Sequence, residues 1–153
     1  AVILSEKFNV LKTKEHQNSE AGVAECVLRE LKPEHDIFIA EMGAYGRGGI
    51  KLICDMVKPK IGILAGINEQ HMATFGSQEN IIKTKFELIE SLPEGAAAIM
   101  NWDNKYIKSE TVSRNLQGAG PKIIKYSIIS KEDVWAEDIK TGLNKLKKLP
   151  SAN

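Results

Sequence analysis

Five short, mostly apolar runs recur along the chain, at Asn9–Thr13, Asp36–Glu41, Lys60–Ile67, Ala96–Asn101 and Lys122–Ser127, and each reads as a β-strand. Between them lie segments of helical period. Glu20–Leu31 carries Val23, Cys26, Val27 and Leu31 at helical spacing, and Ile50–Val57 and Glu79–Leu92 repeat that period. Strands alternating with helices predict an α/β fold with a mostly parallel sheet and helices on both faces. The strands are nearly all apolar rather than alternating, most plainly in Asp36-Ile-Phe-Ile-Ala-Glu41, as expected where both faces of a sheet are buried. Turn and cap residues agree with these boundaries. Ser77 precedes Glu79 and Asn80 at the start of one helix, Pro93-Glu-Gly95 closes it, and Asp103 and Asn104 are placed to cap the next. Asp133-Val-Trp-Ala-Glu-Asp138 reads as one more edge strand. Residues 141–153 form a Lys-rich tail without a strand pattern, expected to fray beyond Leu149.

Composition narrows the class. The 153 residues are 42% hydrophobic and 27% charged, the balance of a globular domain, and a chain of this length buries roughly 68–70% of its unfolded surface. The longest apolar runs, such as Ile61–Ile67, are too short to cross a bilayer, and Ala1–Leu4 has no basic region before it that would make a signal peptide. The expectation is a cytoplasmic protein with no membrane partner. A net charge of +1, with acidic and basic residues interleaved, argues against a nucleic-acid partner. Cys26 and Cys54 have no paired spacing for zinc or a redox couple and read as buried structural thiols.

Ligands of open parallel sheets bind at the carboxyl ends of the strands, so polar residues that terminate apolar strands are the first candidates. Three such points occur. Glu41 ends one strand and leads into the glycine-rich Met42-Gly-Ala-Tyr-Gly-Arg-Gly-Gly49; Asn68-Glu-Gln-His71 follows the next; Asn101-Trp-Asp-Asn104 follows a third. A strand-end carboxylate beside a glycine-rich loop suits a hard cation bridging phosphate oxygens. Capping of the following helix is the competing role for Glu41, and a hydrogen-bonding histidine the competing role for His71.

Taken in order, Glu41-Met-Gly-Ala-Tyr-Gly-Arg-Gly-Gly-Ile50, Ile67-Asn-Glu-Gln-His71, Gly76-Ser-Gln-Glu-Asn80 and Lys83-Thr-Lys-Phe-Glu87 resemble the central, ATP-handling domain of the Mur ligases. That domain has a fold like that of P-loop nucleotidases, and the D-alanyl-D-alanine-adding branch is the most similar. The likeness runs over residues 8 to 140, and residues 1–140 are expected to form a partial domain of this kind. By resemblance, Glu41 is a magnesium ligand near the ATP phosphates, His71 a ligand of a second magnesium, and Lys85 the lysine such enzymes carbamylate. Carbamylation turns a cation into an anionic oxygen donor for magnesium. Only the neutral amine reacts, so the site must lower a pKa that is ordinarily about 10.4. A solvated helix lysine beside Glu87 is the alternative. The segment Asn18-Ser-Glu-Ala-Gly22 resembles the family loop that meets the nucleotide-sugar peptide, making Asn18, Ser19 and Glu20 substrate-binding candidates, against a turn followed by a helix cap. Asn101 and Asp103 resemble an Asn-x-Asp element and are nucleotide-binding or helix-capping candidates.

The resemblance implies an ADP-forming amide ligase that uses magnesium and ATP to join D-alanyl-D-alanine to a UDP-N-acetylmuramoyl peptide. One element departs from it. A P-loop needs Gly-x-x-x-x-Gly-Lys followed by Ser or Thr, and this sequence has no Gly-Lys pair. The chain therefore reads as starting downstream of that loop, without the later His-Asn element and without the N- and C-terminal domains of a parent chain, and as inactive alone. Two other readings are a non-catalytic binding or assembly domain of the same fold and a related amide ligase with a different acid substrate.

Overall fold

A computed structural model describes residues 1–69, 72–116 and 120–136. The tail at 137–153, and the end of the expected strand at Asp133–Asp138, lie outside the described residues. Helices α1 (Val2–Ser5), α2 (Glu20–Glu30), α3 (Gly49–Val57), α4 (Met72–Phe75), α5 (Gln78–Glu90) and α6 (Lys105–Ser113) alternate with strands β1 (Val10–Lys12), β2 (Ile37–Ile39), β3 (Ile61–Leu64), β4 (Ala97–Asn101), β5 (Lys122–Ser127) and β6 (Val134–Trp135). All observed strand pairs are parallel. The α/β class follows as expected, with strands a residue or more shorter at most ends than the apolar runs that foretold them.

The described strands form two sheets, β1-β2 and β3-β4-β5-β6. Helix α3 packs against both α2 and α5 and so joins the two parts. The core of the larger part is Leu64, Ala98 and Met100 from β3 and β4, covered by Ile81, Phe86 and Ile89 of α5 and Ile107 of α6. Gly62 lets α5 approach β3 closely, since a Cβ there would stand 3.0 Å from a methyl of Leu92 and 3.2 Å from Leu88. The expectation of strands buried on both faces needs correcting at β3. Ile61 and Ile63 are 61% and 60% exposed, while Gly62 and Leu64, which alternate with them, are buried. Their apolar character therefore does not by itself report two covered faces.

Capping explains where the helices begin. Ser19 accepts a hydrogen bond from the Gly22 amide at the start of α2, and Ser77 accepts one from Asn80 at the start of α5, both as Ser N-caps do. Helix α3 cannot cap itself in this way. Its N-cap is Gly48, at φ +89°, with no side chain to offer and no acidic residue in the first turn. The cap comes from another helix: the buried carboxylate of Glu87 on α5 accepts from Gly48 N at 2.7 Å and from Lys51 N at 3.1 Å. An anion at that end also opposes the helix dipole.

At α6 the cap is Asn104, whose Oδ1 accepts from the amides of Tyr106 and Ile107. Its Nδ2 reaches across to the Ile67 carbonyl at 2.8 Å. Asp103, the other residue expected to cap this helix, turns instead to the end of β5, where it accepts from the Ser127 hydroxyl and the Ile128 amide. The reason is positional, since Asn104 directly precedes the first helical residue and Asp103 is one residue too early.

Asn104→Ala removes the α6 cap and the link to Ile67 together. The cap alone is worth about 1 kcal/mol, so urea unfolding is expected to show at least that loss with an unchanged slope, and a variant as stable as the parent would contradict this account.

Candidate functional site

The carboxyl ends of β1 and β2 and the start of α2 bring three of the sequence candidates together. Thr13, just past β1, is buried, and its Oγ1 accepts from the Glu41 amide at 3.0 Å, while its own amide donates to Ile39 O. This pair of bonds carries the chain out of β2 and leaves the Glu41 side chain exposed. Asn18 lies alongside. Its Nδ2 stands 3.4 Å from Glu41 Oε1, and its carbonyl accepts from the Gly43 amide at 2.7 Å. Glu20 touches the far end of the same glycine-rich loop: a Cβ at Gly49 would lie 2.5 Å from Glu20 Oε1 and 3.0 Å from Ala44 Cβ. Glycine at 49 leaves room for the Glu20 carboxylate and the Ala44 methyl, whereas glycine at 48 is favoured by the left-handed backbone. Ser19, between Asn18 and Glu20, serves as the α2 cap.

Glu41 does not cap α3, because Glu87 does. The Glu41 carboxylate is therefore free of that competing role. Lys85, on α5, is half-buried. Burial pushes its ammonium below the ordinary lysine value, and the negative charge of Glu41 pulls in the opposite direction. The effect of Glu41 on Lys85 places the two side chains within electrostatic reach, although they are 44 residues apart in sequence. Glu87, two residues on, faces the α3 amides. The solvated lysine beside Glu87 is thus not what the fold provides: the lysine is partly desolvated and the glutamate is engaged elsewhere.

His71 lies outside the described residues, so its place relative to Glu41 and Lys85 is not part of the geometry. Among the described residues, no group of three or more His, Cys, Asp and Glu side chains is gathered closely enough to hold a metal ion. The oxygen donors on hand are Glu41 and the neighbouring Asn18. Magnesium commonly takes one or two protein carboxylates and fills its remaining positions with water and phosphate oxygens. Glu41, exposed at a strand end and adjoining a glycine-rich loop, suits that pattern.

Asn101 and Asp103 sit at the carboxyl end of β4 and stitch neighbouring segments. Asn101 Nδ2 donates to the Ala65 carbonyl at 2.9 Å, and its Oδ1 accepts from the Asp103 amide at 3.0 Å. The Ile128 amide, followed by the Ser127 hydroxyl, holds the Asp103 carboxyl below the usual carboxylate range. Both residues are thus engaged in fixing the ends of β3, β4 and β5. The two cysteines are buried and free, as expected. Cys54 contacts Met42 of the glycine-rich loop at 3.8 Å, and burial raises its thiol pKa.

Sequence reasoning missed the role of Glu87. The available signal was indirect: a helix opening on Gly48-Gly49 with no Ser, Thr, Asp or Asn to cap it must draw its partner from elsewhere in the fold.

Comparison with known proteins bears on the family and the fold. The family profile described as "Mur ligase middle domain" matches residues 1–150. The UDP-N-acetylmuramoyl-tripeptide--D-alanyl-D-alanine ligase of Synechocystis is 40% identical over 128 residues, which is 84% of this chain and 27% of that protein. The Escherichia coli protein of the same name is 36% identical over 104 residues, 68% of this chain and 23% of that protein. Among solved structures, MurF from Acinetobacter baumannii superposes with a TM-score of 0.78 at 25% identity, covering 90% of this chain and 29% of that one. MurF from Thermotoga maritima in complex with ADP superposes with a TM-score of 0.70 at 26% identity, covering 81% and 27%. The chain spans about a quarter of the length of these two relatives. No described helix is long and apolar enough to cross a membrane. With a parallel α/β fold, a glycine-rich loop behind a strand-end carboxylate and a middle-domain match along nearly its whole length, the chain belongs to the Mur ligase family.

Proposed function

We propose that this chain is the metal-side portion of an ATP-dependent, ADP-forming amide ligase that adds D-alanyl-D-alanine to a UDP-N-acetylmuramoyl tripeptide in the assembly of peptidoglycan precursors. The observation that carries the reading is the Glu41 carboxylate, exposed beside the Asn18 amide at the head of a glycine-rich loop past the carboxyl end of β2, with the half-buried Lys85 on α5, whose ammonium burial disfavours. The names of the relatives supply the reaction and both substrates, and the ADP in the Thermotoga structure supplies the nucleotide class. Glu41 is assigned as a magnesium ligand, and His71 as a ligand of a second magnesium. Bound magnesium would offset negative charge on the phosphate oxygens.

Lys85 is assigned as the residue that takes up carbon dioxide. The nitrogen lone pair of its neutral amine attacks the carbon, an N–C bond forms as one C=O π bond of carbon dioxide opens onto oxygen, one proton passes from the nitrogen to water, and a carbamate anion stands where the amine was. Partial burial favours that step by raising the neutral fraction. Asn18 and Glu20, which line the glycine-rich loop, and Ser19 between them are assigned to the nucleotide-sugar peptide. Asn101 and Asp103 are assigned to the nucleotide side of the site, in addition to bracing the strand ends. The matched stretch is about a quarter of each relative's length, and further domains like theirs would complete the ligase; cytoplasmic action fits substrates of this kind. Incubating the polypeptide that carries this segment with magnesium-ATP, UDP-N-acetylmuramoyl tripeptide and D-alanyl-D-alanine should release phosphate only when all three substrates are present. Release that ignores D-alanyl-D-alanine would be hydrolysis rather than amide formation and would overturn this reading.

Three measurements on the 153-residue chain follow. Without a Gly-Lys loop it should show no micromolar affinity for magnesium-ATP in isothermal titration; micromolar binding would overturn the view that the chain lacks its phosphate anchor. Manganese, as a spectroscopic substitute for magnesium, should bind weakly to the chain and more weakly still to Glu41→Gln, by electron paramagnetic resonance titration; equal binding would remove Glu41 from the metal site. Lys85 has a folded pKa below its unfolded value of 10.5, so between those two values the unfolded chain holds more protons and stability rises with pH. Lys85→Met should abolish that contribution. Its stability relative to the parent should be greatest at neutral pH and shrink as pH climbs toward the unfolded value, in urea unfolding across that range.

A further inference from the structure

We propose that Glu87 is a positioning residue of this site: by holding the rear of the glycine-rich loop, it sets where Glu41 stands relative to Lys85. The proposal rests on the assignment of Glu41 and Lys85 as working partners. The loop is tied at the front by Glu41 N to Thr13 Oγ1 and by Gly43 N to Asn18 O. At the rear, Glu87 Oε1 takes the Gly48 amide and Oε2 the Lys51 amide. Between these ties, Gly46 has nothing within 4 Å of where a Cβ would stand, so the middle of the loop has little packing of its own at that point. Ala44 packs against the hydrophobic core and Met42 touches Cys54, so it is the stretch from Tyr45 to Gly48 whose course depends on the rear tie.

Only an outside group can supply the rear tie. A side chain at position 48, the N-cap, would be strained by the left-handed backbone, and one at position 49 would crowd the Ala44 methyl and displace the tip of Glu20. The residue that supplies it lies on α5, two positions beyond Lys85. Successive helical residues are about 100° apart, so Lys85 and Glu87 leave the helix in opposed directions, Glu87 toward the start of α3 and Lys85 on the side where the Glu41 charge acts on it. The helix that carries the reactive amine therefore also sets the position of the loop that carries the carboxylate. A carboxylate does this where an amide would not, because both of its oxygens accept.

Glu87→Gln tests the idea in the 153-residue chain, with Glu87→Asp, which withdraws the charge by one methylene, as a second variant. The amides of residues 43–48 and 51 should exchange roughly tenfold faster, while those of Phe86 and Ile89 in the core keep their protection. Loss of a group that orients a ligand typically costs 10–100-fold in metal affinity, so manganese affinity should fall by at least about tenfold. In a crystal structure of the variant, Glu41 should move by about an ångström or more relative to Lys85, a displacement large enough to matter for chemistry. Unchanged loop exchange, or a loosened loop with Glu41 still in place beside Lys85, would overturn the proposal. So would unfolding of both variants, which would make Glu87 a purely structural residue. The Glu41→Gln titration separates the two ideas. If that variant binds manganese as the parent does, the metal assignment fails, and the exchange data and the Glu41–Lys85 separation still decide the role of Glu87.

Discussion

The arrangement depends on how α5 is held. On one side Phe86 and Ile89 are fully or almost fully buried against β3 and β4. On another, the Glu87 carboxylate gives up water for two backbone amides of the neighbouring helix. Burying a carboxylate is costly unless its oxygens find donors, so the two contacts are not independent: the apolar face can dock only where the α3 amides meet Glu87. This requirement fixes α5 about its own axis as well as its distance from the sheet, and the direction in which Lys85 emerges follows from it.

The electrostatics at Lys85 balance two opposed effects. Desolvation favours the neutral amine and the Glu41 charge favours the ammonium, with desolvation the larger. A nearer or more buried carboxylate would secure the cation and suppress its nucleophilicity. Exposure of the Glu41 side chain weakens its pull, since water screens charges at the surface far better than inside the protein.

Much of this was legible in the sequence because the relevant signals are local. Val10–Lys12, Ile37–Ile39 and Lys122–Ser127 fall within their apolar runs, and Ser19 and Ser77 mark helix starts by the same chemistry that places them there. The strand-end rule expected Glu41, Asn101 and Asp103 at the carboxyl ends of β2 and β4, which is where they lie. The features it could not supply are those in which one side chain serves a distant backbone. Nothing near Glu87 in sequence announces that its partners are Gly48 and Lys51. Nothing in Ile61-Gly-Ile-Leu64 says that alternate residues face outward, because isoleucine satisfies the apolar pattern whichever way it points. Asp103 and Asn104 are similar in cap preference, and a single residue of offset decided which one begins α6.

The side-chain amides of Asn101 and Asn104, each reaching for a carbonyl beyond the end of β3, lengthen the sheet without backbone pairing. The regular ladder between β3 and β4 stops at Leu64 and Met100, yet Ala65 and Ile67 remain moored to the neighbouring segment through these two rungs. Rungs made by side chains accept a change of direction that a continuous ladder would resist. The polypeptide can therefore bend away from the sheet at this level while its point of departure stays fixed, giving a rigid base to the stretch that runs on toward Asn68 and Glu69.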